Sequence, residues 1–420
     1  MTCATGREYD LPHTVFLRRV AAAPSGASSD ARLGQGAFLA LRLLDLLRPE
    51  ARPVHADAFE YQRRATERLC HQLPVDETET AHLIGLVHSA ADAFREHDVR
   101  LAVPALLAYG HYLEDQLHLE EALDVLESTL DVGAEQLGAS DAVAVHLRMG
   151  RVNRKLNRFD DGDAQYALAA VLAESTGDVH SALLSRVGRA ISTQARGNLA
   201  EAERLFRELS TDARAAKERD IEARVHHALG TTLATRGELA GGTVHVWQSV
   251  QLYEDGSSAL RALQDLGAML LAMGRVDDAE HALSVVVRRG GARDNITNAL
   301  IELMHCASYR RDRVGFERRR AECESLTDGM PPNILVDFYF KAGVGNARFG
   351  NFGKARSLMA TALNIAGRNA LREFEFRIER IMAGLRDCED EVALKLDGAA
   401  EPAIRNNALE EVSASLANLG

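Results

Sequence analysis

Cysteine is scarce and scattered: the 420-residue chain has five, at positions 3, 70, 306, 323 and 388, with no CxxC pair. Neither a disulfide framework nor a thiolate zinc site is indicated, and a reducing compartment is the simplest expectation. Proline is nearly as rare, with nine residues, and little therefore interrupts a helix. Long apolar runs are missing as well. The stretch from Phe38 to Leu47 is short and carries Arg42 and Asp45, so it cannot span a bilayer. The opening segment has no apolar run flanked by a basic stretch and a small-residue cleavage site, which makes an export signal unexpected and a cytoplasmic protein the expectation. No GxxxxGK[ST], GxSxG, HExxH or strand-linked GxGxxG occurs, leaving nucleotide, hydrolase and metalloprotease chemistry unsupported. A non-enzyme without cofactor or metal is expected. Positive charge is outnumbered, 49 basic against 61 acidic residues for a net −12. That balance argues against general attraction to nucleic acid or to an anionic membrane, while leaving room for a local basic patch.

What is present is a foldable composition, 46% hydrophobic and 26% charged. A single core stops growing at roughly 250 to 300 residues, so a chain of this length is several domains or a repeat array. From Ala37 onward, apolar residues recur at three- and four-residue intervals among Ala, Leu, Arg and Glu, and sustained alternation is missing; the expectation is all-α. Self-similarity decides for the array. HLEEALDVL, FDDGDAQYAL, NLAEAERLF, ELAGGTVHV, RVDDAEHAL, RVGFERRRA and NFGKARSLM share a turn, a few polar residues, then a residue opening an amphipathic helix. The opening residues are Ala122, Gly162, Ala202, Gly242, Ala279, Phe316 and Ala355, at spacings of 40, 40, 40, 37, 37 and 39. Twelve positions earlier stand Gly110, Gly150, Ala190, Gly230, Gly267, Met304 and Gly343.

Glycine within a helix costs about 1 kcal/mol relative to alanine. Its return at one register implies that a second helix must approach the backbone there, and that the small residue twelve positions later lies on that second helix. The unit is then a helix hairpin that buries its apolar face only by stacking on its neighbours. A Gly in the first helix, an Ala opening the second and a bulky residue four further on (Leu126, Tyr166, Phe206, Val246, Leu283, Met359) resemble the tetratricopeptide repeat. The resemblance implies a right-handed superhelical solenoid of antiparallel hairpins whose first helices line a concave groove. Units of 37 to 40 residues depart from the family's usual 34, the family's Trp and closing Pro are largely missing, and the repeat with Met304 and Phe316 has bulk at both small positions. The expected layout is an N-terminal segment and flexible loop over 1–36, a degenerate hairpin region over 37–96, seven repeats over 97–370, and a capping helix, a linker and a final amphipathic helix over 371–420. The loop is placed at 21–36, the linker at 398–402, and the last helix has Ile404, Ala408, Val412 and Leu416 on one face.

One charge pattern is sharper than the rest. Arg148, Arg151, Arg154, Lys155 and Arg158 occur with no acidic residue between Asp141 and Asp160, on a helical stripe apart from Val145, Met149, Val152 and Leu156. By the resemblance, Leu147, Arg151 and Arg154 point into the groove, where fixed positive charge favours a carboxylate terminus, an acidic peptide or a phosphate. The alternative is a structural tie to Glu114 or Asp115 on the preceding first helix. Lys155, His111, Asn298, His305, Tyr309 and Arg348 fall among the other candidate groove residues. The six arginines of YRRDRVGFERRRAE are read as a solvated face, and Phe338, Tyr339, Phe340, Phe374 and Phe376 as a hydrophobic cap. The expected function is a protein-interaction scaffold or adaptor that binds a peptide segment or partner helix, or else a peptide- or metabolite-sensing regulator acting through a separate protein.

Overall fold

The computed structural model describes residues 11–22, 28–48, 54–75, 77–133, 136–291, 293–327, 330–369, 371–387 and 407–419. Among them are twenty α-helices and no strand. Four precede the regular array: α1 (Thr14–Ala22), α2 (Ser29–Asp45), α3 (Ala56–Cys70) and α4 (Thr78–Glu96). Seven pairs follow, α5 (Val103–Asp115) with α6 (Leu119–Gly133), α7 (Ala139–Lys155) with α8 (Phe159–Thr176), α9 (Val179–Ala195) with α10 (Leu199–Ala216), and α11 (Arg219–Thr235) with α12 (Leu239–Leu252). The remaining pairs are α13 (Gly256–Ala272) with α14 (Val276–Arg289), α15 (Arg293–Tyr309) with α16 (Arg313–Glu324), and α17 (Pro332–Arg348) with α18 (Phe352–Arg368), followed by α19 (Arg372–Asp387) and α20 (Asn407–Leu416). Two compact units divide the chain, Met1–Ser192 and Thr193–Gly420.

The crossings are where the glycine pattern places them. A Cβ built on Gly267 of α13 would lie 2.6 Å from the Leu283 side chain of α14, and one on Gly343 of α17 would lie 2.8 Å from Met359 of α18. At Gly230 the obstacle includes backbone: the added atom would stand 2.7 Å from the carbonyl oxygen of Gly242, in the first turn of the facing helix. The contact is reciprocal, since a Cβ on Gly242 would lie 2.6 Å from the carbonyl of Gly230. Carbonyl atoms cannot swing aside as a flexible side chain does, so both positions are held small.

A third register position completes the unit. Five residues before each opening residue, the backbone is left-handed, at Leu117, Asn157, Gly197, Gly237, Gly274, Arg311 and Gly350. That conformation ends the first helix and turns the chain into the second. Only four of the seven are glycine, which is why the turn was less legible than the crossing.

The sixth hairpin solves its bulk differently. Phe316 is fully buried, and a Cβ on Gly345 of α17 would collide with its ring. The small residue that accommodates Phe316 therefore lies on the first helix of the next hairpin. Phe316, Met304, Phe338 and Cys323 form one apolar cluster there.

Three expectations are corrected. Residues 29–36 are helix rather than loop: Ser28 caps α2, its hydroxyl accepting the Ala31 N–H, as serine does at helix starts. Gly34 and Gly36, which suggested a loop, serve close packing, with Gly34 against the Phe16 carbonyl and Gly36 against Leu73 and Leu83. Phe376 is 70% exposed and takes no part in a cap, while Phe338 and Phe340 are buried and Ile378 carries α19 onto the α17/α18 cluster. The last helix buries Leu409, Val412 and Leu416 rather than a stripe through Ala408; Ile404, the linker at 398–402, Cys3 and Cys388 lie outside the described residues.

Helix α1 is fastened to the first unit by buried charge. Arg19 bonds both Glu79 of α4 and Glu121 of α6, and the Tyr109 hydroxyl donates to Glu79 at 2.7 Å. His13 sits between Asp124 and Asp45. Burial lowers its pKa, but the two carboxylates more than offset this and raise it above the ordinary imidazole value.

Candidate functional site

The basic stripe of α7 meets one acidic residue of α5, four positions after the crossing glycine. The Glu114 side chain is 0% exposed. Arg148 donates to its Oε2 at 2.7 Å, and Arg151 Nε and Lys155 Nζ stand 2.6 and 2.7 Å from its Oε1. Burial pushes the carboxyl pKa up, yet Arg151 and Lys155 pull it down to about 2. One buried negative charge thus organises three cations whose side chains keep 26 to 38% of their surface open to solvent. Arg154 turns toward α8, where it hydrogen-bonds Tyr166, and its buried Nε finds no acceptor among the described residues. Leu147 is half-buried on the same helix. The tie to Glu114 that the sequence left open as an alternative is present; Asp115, the other candidate partner, pairs with exposed His111 at 3.0 Å.

A second polar cluster lies in the other unit, again on first helices. Arg348 of α17 is 7% exposed; its guanidinium carbon stacks 3.7 Å from the Tyr309 ring centroid, and Nη1 donates to Ser308 at 2.7 Å and approaches His305 Nδ1 at 3.3 Å. His305 stands edge-on to Tyr309. Burial, followed by Arg348, Lys341 and Arg377, drives the His305 pKa well below the ordinary value, so the imidazole is neutral at physiological pH. Asn298 lies two turns earlier on α15, half-buried. Next to this cluster Lys341 of α17 donates at 2.6 Å to Asp337 of its own helix and at 2.6 Å to Glu302 of α15. Burial lowers the ammonium pKa and the two carboxylates more than restore it, leaving it above the lysine range.

The structure therefore gathers Arg151 and Lys155 around Glu114, and His305, Tyr309 and Arg348 around each other. His111 pairs with Asp115 and joins neither cluster. The two clusters belong to different compact units. Sequence reasoning missed Ser308 and the Lys341 tie, because a hydroxyl and a lone lysine carry no motif. Tyr166 appeared only as a packing residue. The adjacent His226 and His227 face different neighbours: His226 Nδ1 lies 3.0 Å from His245 Nδ1, and His227 Nε2 lies 2.8 Å from Asp265. Among the described residues, no three His, Cys, Asp or Glu side chains are arranged to hold a metal ion, and no helix is long and apolar enough to cross a membrane. Of the six arginines around α16, Arg310 pairs with Glu280, Arg319 with Glu322 and Arg320 with Glu317, while Arg311 donates to the Arg348 carbonyl.

Solved structures with similarity to this chain are known. The Rap conjugation gene regulator of the plasmid pLS20, in complex with the Phr* peptide, superposes with a TM-score of 0.53 at 14% identity, over 86% of this chain and 98% of that one. A Rap protein complexed with competence and sporulation factor gives a TM-score of 0.48 at 13% identity over 81% and 99% of the two chains. NprR in complex with its cognate peptide NprX gives 0.48 at 13% over 78% and 98%. No protein-family model and no curated protein matches the sequence. The described residues have a divergent tetratricopeptide-like fold of antiparallel helix hairpins.

Proposed function

We propose that this protein is a non-catalytic peptide-binding adaptor, and that the first-helix face formed by α5 and α7 receives an extended segment carrying a carboxylate. The observation that carries the reading is the set of three part-exposed cations converging on a single buried carboxylate, with Arg154 beside them. Glu114 holds the cations in place before any ligand arrives, so little side-chain entropy remains to be lost on binding. Each of these cations keeps part of its surface open to solvent, and a charge-assisted hydrogen bond to a carboxylate is the stronger kind. Leu147 supplies an apolar neighbour for a side chain of the bound segment.

A second reading, a peptide-sensing regulator that acts through a separate protein, draws support from the peptide-bound conjugation regulator with the similar fold. The two share the binding event and differ in output. Fluorescence anisotropy with a peptide library, each member made with a free C-terminal carboxylate and as its amide, tests the shared step. Preference for the free acid, lost in Arg151→Gln/Arg154→Gln, is the expected result; equal binding of acid and amide would retire the reading. A partner protein released or captured on peptide addition separates regulator from adaptor.

A further inference from the structure

Among the described residues, helix α20 is paired in no hairpin. Nineteen residues of sequence separate it from α19, and it packs back on α12 and α14, the second helices of two adjacent hairpins well before it in the chain. Its buried side chains are Leu409, Val412 and Leu416, at spacings of three and four. They join the cluster of Val246, Trp247, Ala282 and Leu283. Alongside, Arg275 reaches both Glu410 carboxylate oxygens, at 3.2 and 3.4 Å, and donates to the Ser413 hydroxyl at 2.7 Å; that hydroxyl donates to Asp278 at 2.7 Å.

We propose that the seam between α12 and α14 is a second interaction surface, a helix-docking site that α20 fills in cis and that an amphipathic partner helix occupies when α20 lifts away. The surface defines its ligand through α20: apolar residues at i, i+3 and i+7, an acidic residue at i+1 facing Arg275, and a hydroxyl at i+4 facing Asp278. A helix of ten residues is marginal in water on its own, so α20 is helical because it is docked, and its release and unfolding are one event. The seam lies on second helices, whereas the carboxylate-binding proposal concerns first helices. The two proposals therefore stand or fall separately.

The test uses full-length protein and a fluorescein-labelled, amidated peptide of Asn407–Leu419. Leu409→Asp/Val412→Asp removes the apolar anchors in cis and opens the seam. Trp247 is the only tryptophan and is 8% exposed, so its acrylamide quenching should rise in this variant. The peptide should bind the variant at least about tenfold more tightly than wild type, where the tethered copy competes at an effective concentration on the order of millimolar. A peptide carrying Glu410→Arg should bind the variant more weakly, and the full-length Glu410→Arg protein, altered only at an exposed position, should admit the unmodified peptide. A variant with wild-type circular dichroism that binds the peptide no better than wild type would overturn the proposal, as would Trp247 quenching that α20 release leaves unchanged.

Discussion

The two units bury opposite charges to tie one first helix to the next. In the first, a carboxylate of α5, Glu114, is held by three cations of α7. In the second, an ammonium of α17, Lys341, is held by Asp337 of its own helix and Glu302 of α15. The first arrangement ends with positive charge in reach of solvent, the second with a surplus of negative charge largely enclosed. One kind of tie therefore ends in two ways: around Glu114 the cations keep part of their surface open to solvent, and around Lys341 the charges are largely enclosed.

Lys341→Met should have the largest effect. It strands two carboxylates in a dry setting, and loss of about 3 to 5 kcal/mol in urea denaturation is expected. Glu114→Gln should cost less, about 1 to 3 kcal/mol, because its three cations can turn toward water. If the order reversed, the contrast between an enclosed tie and a part-exposed one would be broken. Arg151→Gln/Arg154→Gln should lower affinity for a carboxylate-bearing peptide by about tenfold or more, with a melting temperature close to wild type. Glutamine is the better probe here than glutamate, since a second carboxylate beside Glu114 would disturb the fold as well as the ligand.

The smallest effect is in pH. The Glu114 carboxyl titrates near 4.5 when unfolded and near 2 when folded. A depressed carboxyl stabilises above its unfolded pKa, and this contribution fades as pH falls from about 4.5 toward 2. The gap in urea midpoint between wild type and Glu114→Gln should therefore be full at pH 6 and narrower at pH 3. A gap that stays constant would mean that the cations do not stabilise the charged form.

Much of the hairpin architecture was legible because it is local. A missing side chain at Gly230 or Gly267 leaves a mark at fixed sequence distance from the bulky residue it meets, Val246 or Leu283, sixteen positions on in both cases. Phe316 broke the rule because its small counterpart, Gly345, lies in the following hairpin, outside the register being read. Gly34 and Gly36 misled for the opposite reason: in a segment rich in Ser and Ala, glycine at a helix crossing has the same letters as glycine in a loop. At the candidate site the stripe of cations was visible as a 3.6-residue pattern. The depth of Glu114 was not, since burial depends on what packs over α5.

The amino-acid sequence by itself determined the repeat length, the helix pairs and most of their backbone crossings, because each is written in periodicity and small residues within one or two turns of a hairpin. Tertiary structure alone decided which charges meet and where the last helix rests. Glu114 finds Arg148 across 34 residues and Glu410 finds Arg275 across 135. At such separations, only the stacking of helices selects one partner among many of the same sign.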